Sequence, residues 1–212
     1  MILNIICSFL SIIIFYFLKK LILINDDENN LITKKREYFI IPILLIISSY
    51  VFINIFTGIL NNLLIPIIIG TLFICVYTDW QNKIVYRIYS VSLIALSIIF
   101  AIYNYKLYLD VNTISAIIMA IIIIYILTIF NCFGIGDALV LIGNDIILSV
   151  INNKYFIAEI LLWHFIIAAL LMIVLNLRKM NWKKLRFKSP VAFVPFIYLA
   201  TIIIGVLTLI LS

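Results

Sequence analysis

The sequence predicts an all-α protein, a polytopic integral membrane bundle of about eight transmembrane helices. Three observations carry this prediction. Of 212 residues, 67% are hydrophobic and 11% are charged, with a mean hydropathy of +1.30; a soluble domain is closer to half apolar and a quarter charged. The apolar residues form continuous runs without alternation, which excludes an outer-membrane barrel. Helices are then the way left to satisfy every backbone group in lipid. Finally, the runs approach the roughly 20 residues that cross the hydrocarbon core, and eight of them leave roughly 50 residues for connections. No large soluble domain fits on either side.

The runs follow one another as 1–18, 39–56, 58–78, 88–104, 112–131, 138–151, 156–177 and 191–211. The first has neither a basic leading segment nor a small-residue cleavage site, so it reads as a retained span and not a signal peptide. The sixth is short and carries Asn144 and Asp145 near its middle. The seventh holds His164, the only histidine. With no internal repeat or low-complexity linker between runs, residues 1–212 read as one membrane-embedded domain.

The net charge of +6 comes from 15 Lys and Arg against 9 Asp and Glu. These cations sit between apolar runs, so they read as topology signals before they read as a nucleic-acid surface. The odd-numbered connections hold thirteen of them, among them Lys19, Lys83, Arg87 and Lys183, and the even-numbered ones only Lys106 and Lys154. The positive-inside rule then places loops 19–38, 79–87, 132–137 and 178–190 in the cytoplasm. Trp182, flanked by lysines, suits an anchor among lipid headgroups. Cys7, Cys75 and Cys132 form no C-x-x-C pair, which argues against a zinc knuckle or disulfide framework.

Acidic groups at membrane depth are costly, about 2.5–3.5 kcal/mol for Asp at a helix centre, and usually functional. Asp79 closes the third run in Val76-Tyr77-Thr78-Asp79-Trp80. Asp137 follows the fifth in Phe133-Gly134-Ile135-Gly136-Asp137. Both fall on odd-numbered connections, hence at one depth. Two carboxyl groups about 3 Å apart share one proton. The ionised one can take a proton from an attacking water while the other donates to the developing oxyanion. Gly134 and Gly136, lacking Cβ atoms, allow positive φ and close backbone approach. The alternative is that both aspartates simply end helices beside headgroups. For His164 the expectation is an interhelical hydrogen bond. Asp145 is expected to pair with a neighbour or line a wet cavity. Asp26, Asp27 and Glu28 read as a solvated loop.

These motifs resemble a family, the GxGD membrane aspartic proteases, specifically type IV prepilin peptidases and preflagellin peptidases. The resemblance rests on Asp79-Trp80-Gln81-Asn82-Lys83-Ile84, on Gly134-Ile135-Gly136-Asp137 lying 58 residues after Asp79, and on the late Ala192-Phe193-Val194-Pro195-Phe196-Ile197. It implies a membrane aspartic endopeptidase with Asp79 and Asp137 as its catalytic pair. Its substrate would be a prepilin-like precursor, whose short basic leader is cut at the cytoplasmic face of the inner membrane. It implies no metal or organic cofactor and no nucleic acid. The sequence departs from the family pattern in three places. Val85-Tyr86 stands where the family has Pro-Asn, and Leu139 stands where it has Lys. Lys83 or Arg87 could supply the cation instead. The tetracysteine zinc loop of the methylating members is absent, which implies peptidase activity without N-methyltransferase activity. Two rival readings are a presenilin-like or signal-peptide-peptidase-like intramembrane protease, and a non-catalytic transport or assembly protein whose carboxylates bind protons or cations.

Overall fold

The computed structural model describes residues 2–25, 37–56, 58–104, 111–130, 133–150, 157–177, 180–181, 186–187 and 191–211. It is a bundle of eight helices: α1 (Ile2–Asn25), α2 (Glu37–Ile55), α3 (Ile59–Asn82), α4 (Arg87–Asn104), α5 (Val111–Ile129), α6 (Ile135–Val150), α7 (Ile157–Leu175) and α8 (Val194–Leu211). The all-α membrane bundle expected from the sequence is the observed architecture. The first four helices are each long and apolar enough to cross a bilayer, and the apolar stretches of α5, α7 and α8 are somewhat shorter. Inside the seventh connection, β1 (Met180–Asn181) pairs antiparallel with β2 (Arg186–Phe187). This small hairpin was not expected in a loop. Asp26, Asp27, Glu28, Cys132 and Trp182 lie outside the described residues.

Successive helices run in alternating directions, and polar contacts mark the two ends. At one end Asn4 bonds to Asn54, and Asn61 exchanges amide hydrogen bonds with Asn104 at 3.0 Å. At the other, Lys19 Nζ lies 3.4 Å from the Tyr77 hydroxyl, which donates to Glu37. Lys19, expected in a loop, is instead buried within α1, with Nζ 4.8 Å from the centre of the Tyr77 ring. Its aliphatic stem packs while its charge reaches a polar cluster, as long basic side chains do at membrane edges.

Two helices form the interior. From Ile65 to Asp79 almost every residue of α3 is buried, and so is every residue of α6 from Gly143 to Val150. α3 packs against α1, α2, α4 and α8, and α6 against α4, α5, α7 and α8. Thus α4 and α8 bridge the two interior helices. The hydroxyls of Ser8, Ser48, Thr71 and Ser97 donate to carbonyls one turn back, so they ask nothing of the lipid. Gly143 lets α6 approach α4: a Cβ there would stand 3.1 Å from Leu93 Cγ. Such close approach at small residues is how packing holds helices together in lipid.

Candidate active site

Each interior helix ends in one of the two aspartates. Asp79 lies in the last turn of α3, 4% exposed. The hydropathy run stops just before it, but the helix does not. It continues through Trp80, Gln81 and Asn82 to Lys83, whose left-handed backbone (φ 59°, ψ 30°) returns its N–H to the Asp79 carbonyl at 3.0 Å. That conformation is a common helix stop. Lys83 Nζ donates to the carbonyls of Asp79 (3.3 Å) and Trp80 (2.8 Å) and lies over the Trp80 ring.

Asp137 sits in the first turn of α6, so the expected loop 132–137 is already helical from Ile135. Gly134 caps this helix, its carbonyl accepting from Ala138 N–H at 3.0 Å. Asp137 Oδ2 reaches back to accept the Gly134 N–H at 3.1 Å. A carboxylate at this position satisfies one of the donors a helix start leaves open and sits favourably at the positive end of the helix dipole.

A third helix end completes the site. Phe193 caps α8, its carbonyl accepting from Phe196 and Ile197. Pro195 stands in the first turn, where a missing N–H removes nothing the helix needs. The N–H of Val194 donates to Asp79 Oδ2 at 2.9 Å. Phe133 and Phe193 stack with ring centroids 5.7 Å apart, fixing the approach to α6 beside the start of α8. The end of α3 therefore faces the starts of α6 and α8, which puts Asp79 and Asp137 on the same junction of helix ends.

The glycines differ in role. Neither uses positive φ: among the described residues Gly58 is the glycine in that region. The expectation of conformational freedom at Gly134 and Gly136 is overturned, because both precede or begin an ordinary helical turn. Close approach is what Gly136 supplies. A Cβ at that position would stand 2.6 Å from Val85 Cβ and 3.3 Å from the Val85 carbonyl. At Gly134 the nearest atom would be Asp137 Oδ2 at 3.5 Å, an ordinary contact. Gly136 thus seats the start of α6 on the α3–α4 connection. Val85, where the resembled family has Pro, is the surface it sits on.

Of the two candidate supporting cations, Lys83 is placed beside Asp79, its Nζ 3.3 Å from that residue's carbonyl. Arg87 is exposed at the start of α4. Leu139 is half-buried two residues past Asp137.

A second polar cluster lies farther along α6. His164 Nδ1 is 2.8 Å from Asp145 Oδ1, and Nε2 is 3.0 Å from Thr201 Oγ1 and 3.3 Å from the Ile197 carbonyl. His164 is wholly buried and Asp145 nearly so. The interhelical hydrogen bond expected of His164 is present. Its partner was not identifiable from sequence, since the two residues lie on different helices 19 positions apart. Among the described residues, no three His, Cys, Asp or Glu side chains cluster as metal ligands would. No family model, curated protein or solved structure matches this chain.

Proposed function

We propose that this chain is a membrane aspartic endopeptidase in which Asp79 and Asp137 act as one catalytic pair. One observation carries the reading. Two aspartates 58 residues apart in sequence lie at one junction of helix ends, where Val194 at the start of α8 bonds to Asp79 and Gly136 at the start of α6 seats on Val85. Two carboxyls that close to about 3 Å hold one proton between them. The ionised carboxylate takes a proton from water as the water oxygen attacks the peptide carbonyl. The protonated one donates to the carbonyl oxygen as it gains charge. Collapse of the resulting diol breaks the C–N bond, and the leaving amine takes a proton from the pair. The pair titrates as a unit, so neither residue owns a fixed role.

The substrate we propose is the short basic leader of a type IV prepilin-like precursor, cut on the cytoplasmic side of the cell membrane. The support for this is the motif set around Asp79, Gly134–Asp137 and Pro195, together with the basic bias of the odd-numbered connections. The test is co-expression with such a precursor, read as a mobility shift, with Asp79→Asn and Asp137→Asn as controls matched for membrane level. Cleavage lost in both variants is the expected result. Normal processing by either would remove the peptidase reading and leave the carboxylates to proton or cation binding.

A further inference from the structure

Between the interior helices, below the aspartates, lies a small gap. It is lined by Phe52, Ile65, Ile69 and Phe100, with Asn144 and Thr201 as its polar members. Asn144 is wholly buried. Its Nδ2 donates to the Val140 carbonyl at 3.0 Å. A carbonyl only accepts, so the amide orientation is fixed and Oδ1 points away from it. That Oδ1 is buried without a hydrogen-bond partner. An acceptor removed from water and left unpaired carries its full desolvation penalty.

Thr201 has the complementary need. Its hydroxyl donates to the Ile197 carbonyl at 2.8 Å. His164 Nε2 lies within reach of both that carbonyl and the hydroxyl oxygen. The Ile197 carbonyl can only accept, so its contact assigns the hydrogen to Nε2, which is then the donor. Thr201 Oγ1 keeps one lone pair. At the far side of the ring, a single proton lies between Nδ1 and Asp145 Oδ1, so the pair is neutral as a unit. Neutrality is what lets it sit in the bundle interior.

We propose that the gap is a binding site for one water molecule, which donates its two hydrogens to Asn144 Oδ1 and Thr201 Oγ1. The water would extend a continuous polar chain from Asn144 through Thr201 and His164 to Asp145, tying α6, α7 and α8 together. Size and chemistry choose this occupant. The space open to a water-sized centre is about 10 Å³, which is the room one water needs. A cation would exchange its hydration shell for two neutral oxygens among apolar walls, a poor trade. The order Asp–His–Thr also matches an acid, a base and a nucleophile. However, the Thr201 proton is directed at Ile197, and no substrate fits the gap.

The test is solid-state NMR of the full chain in lipid vesicles, with ¹⁵N-labelled histidine. His164 is the only histidine, so its ring signals need no assignment. The expected result is magnetisation transfer from water protons to the Nε2 hydrogen within milliseconds. Transfer should fall several-fold in Asn144→Leu, which removes the orphan acceptor and fills the gap. Ile147→Phe, whose added ring carbons fill the gap from its apolar wall and which keeps Asn144, should give the same fall if Asn144→Leu does not insert. No transfer in the unaltered protein would show a dry gap and overturn the proposal. Equal transfer in the unaltered and filled proteins would show water reaching the ring elsewhere, and would overturn it too.

Discussion

Val194 donates its backbone N–H to the side chain of Asp79 at 2.9 Å, joining residues 115 positions apart. Asp79 is therefore both half of the proposed catalytic pair and the acceptor for an open N–H at the start of α8, as a capping side chain would be. The two roles separate on substitution. Asn accepts at a helix start as well as Asp does, whereas Ala loses about 0.5–2 kcal/mol there. Asp79→Asn should abolish cleavage with little loss of thermal stability, and Asp79→Ala should lose both. The double variant Asp79→Asn/Asp137→Asn should be no worse than either single one, because groups acting as a unit are non-additive. Unfolding in detergent beside precursor processing reads both effects. A partly active Asp79→Asn would detach the cap from the chemistry.

Gly136 and Gly134 should respond differently to alanine. Gly136→Ala drives a Cβ into Val85, and overpacking of this kind costs about 1–3 kcal/mol. Cleavage should fall with it, since the start of α6 carries Asp137. Adding Val85→Gly removes the obstructing Cβ and should restore much of the activity. Gly134→Ala makes only an ordinary contact, 3.5 Å from Asp137 Oδ2, and should be tolerated far better. Equal loss at the two positions would mean that the contact with Val85 does not seat the helix.

A lysine at position 139 would place a cation two residues beyond Asp137. A nearby cation favours the ionised form of a carboxyl pair, so the singly ionised state would form at lower pH. The activity profile of Leu139→Lys should shift toward acid. An unchanged profile, at equal membrane level, would mean that this side chain lies outside the field of the pair.

The Asp145–His164 pair predicts a stability pattern and not a catalytic one. Breaking a buried pair by removing one partner costs about 3–5 kcal/mol, while replacing both by apolar groups is often nearly neutral. Asp145→Leu and His164→Leu should each lower the unfolding temperature in detergent, and the double variant should recover most of the loss. Additive losses would show that the two side chains are not coupled. Protein that inserts as Asp145→Asn should still cleave, because the pair lies apart from Asp79 and Asp137.

The basic bias of the odd-numbered connections predicts an orientation. With Cys7, Cys75 and Cys132 replaced, a single cysteine at position 183 should react with an impermeant thiol reagent only after the cells are opened. Labelling in intact cells would reverse the proposed sidedness, and with it the cytoplasmic placement of cleavage.

The helices were legible in the sequence because lipid leaves few alternatives. A continuous apolar run there is a helix, and its length is nearly its span. Helix ends were less legible. Hydropathy stops at the first charge, whereas hydrogen bonding carries α3 past Asp79 to Lys83 and starts α6 ahead of Asp137. The glycines flanking Ile135 were visible as a motif. Which of them meets a neighbour depends on where Val85 lies, and that is set by the packing of two other helices. The Asp145–His164 pair left no spacing to read, since each residue is isolated in its own apolar run.

α6 has 16 residues, a rise of about 24 Å, against a hydrocarbon layer about 30 Å thick. Encircled by α4, α5, α7 and α8, it has no need to match that layer itself. One end of it can therefore stop short of the headgroups. If that is the end with Asp137 in its first turn, a peptide bond would have to dip below the headgroups to reach the proposed pair, and the water that hydrolyses it would have to follow.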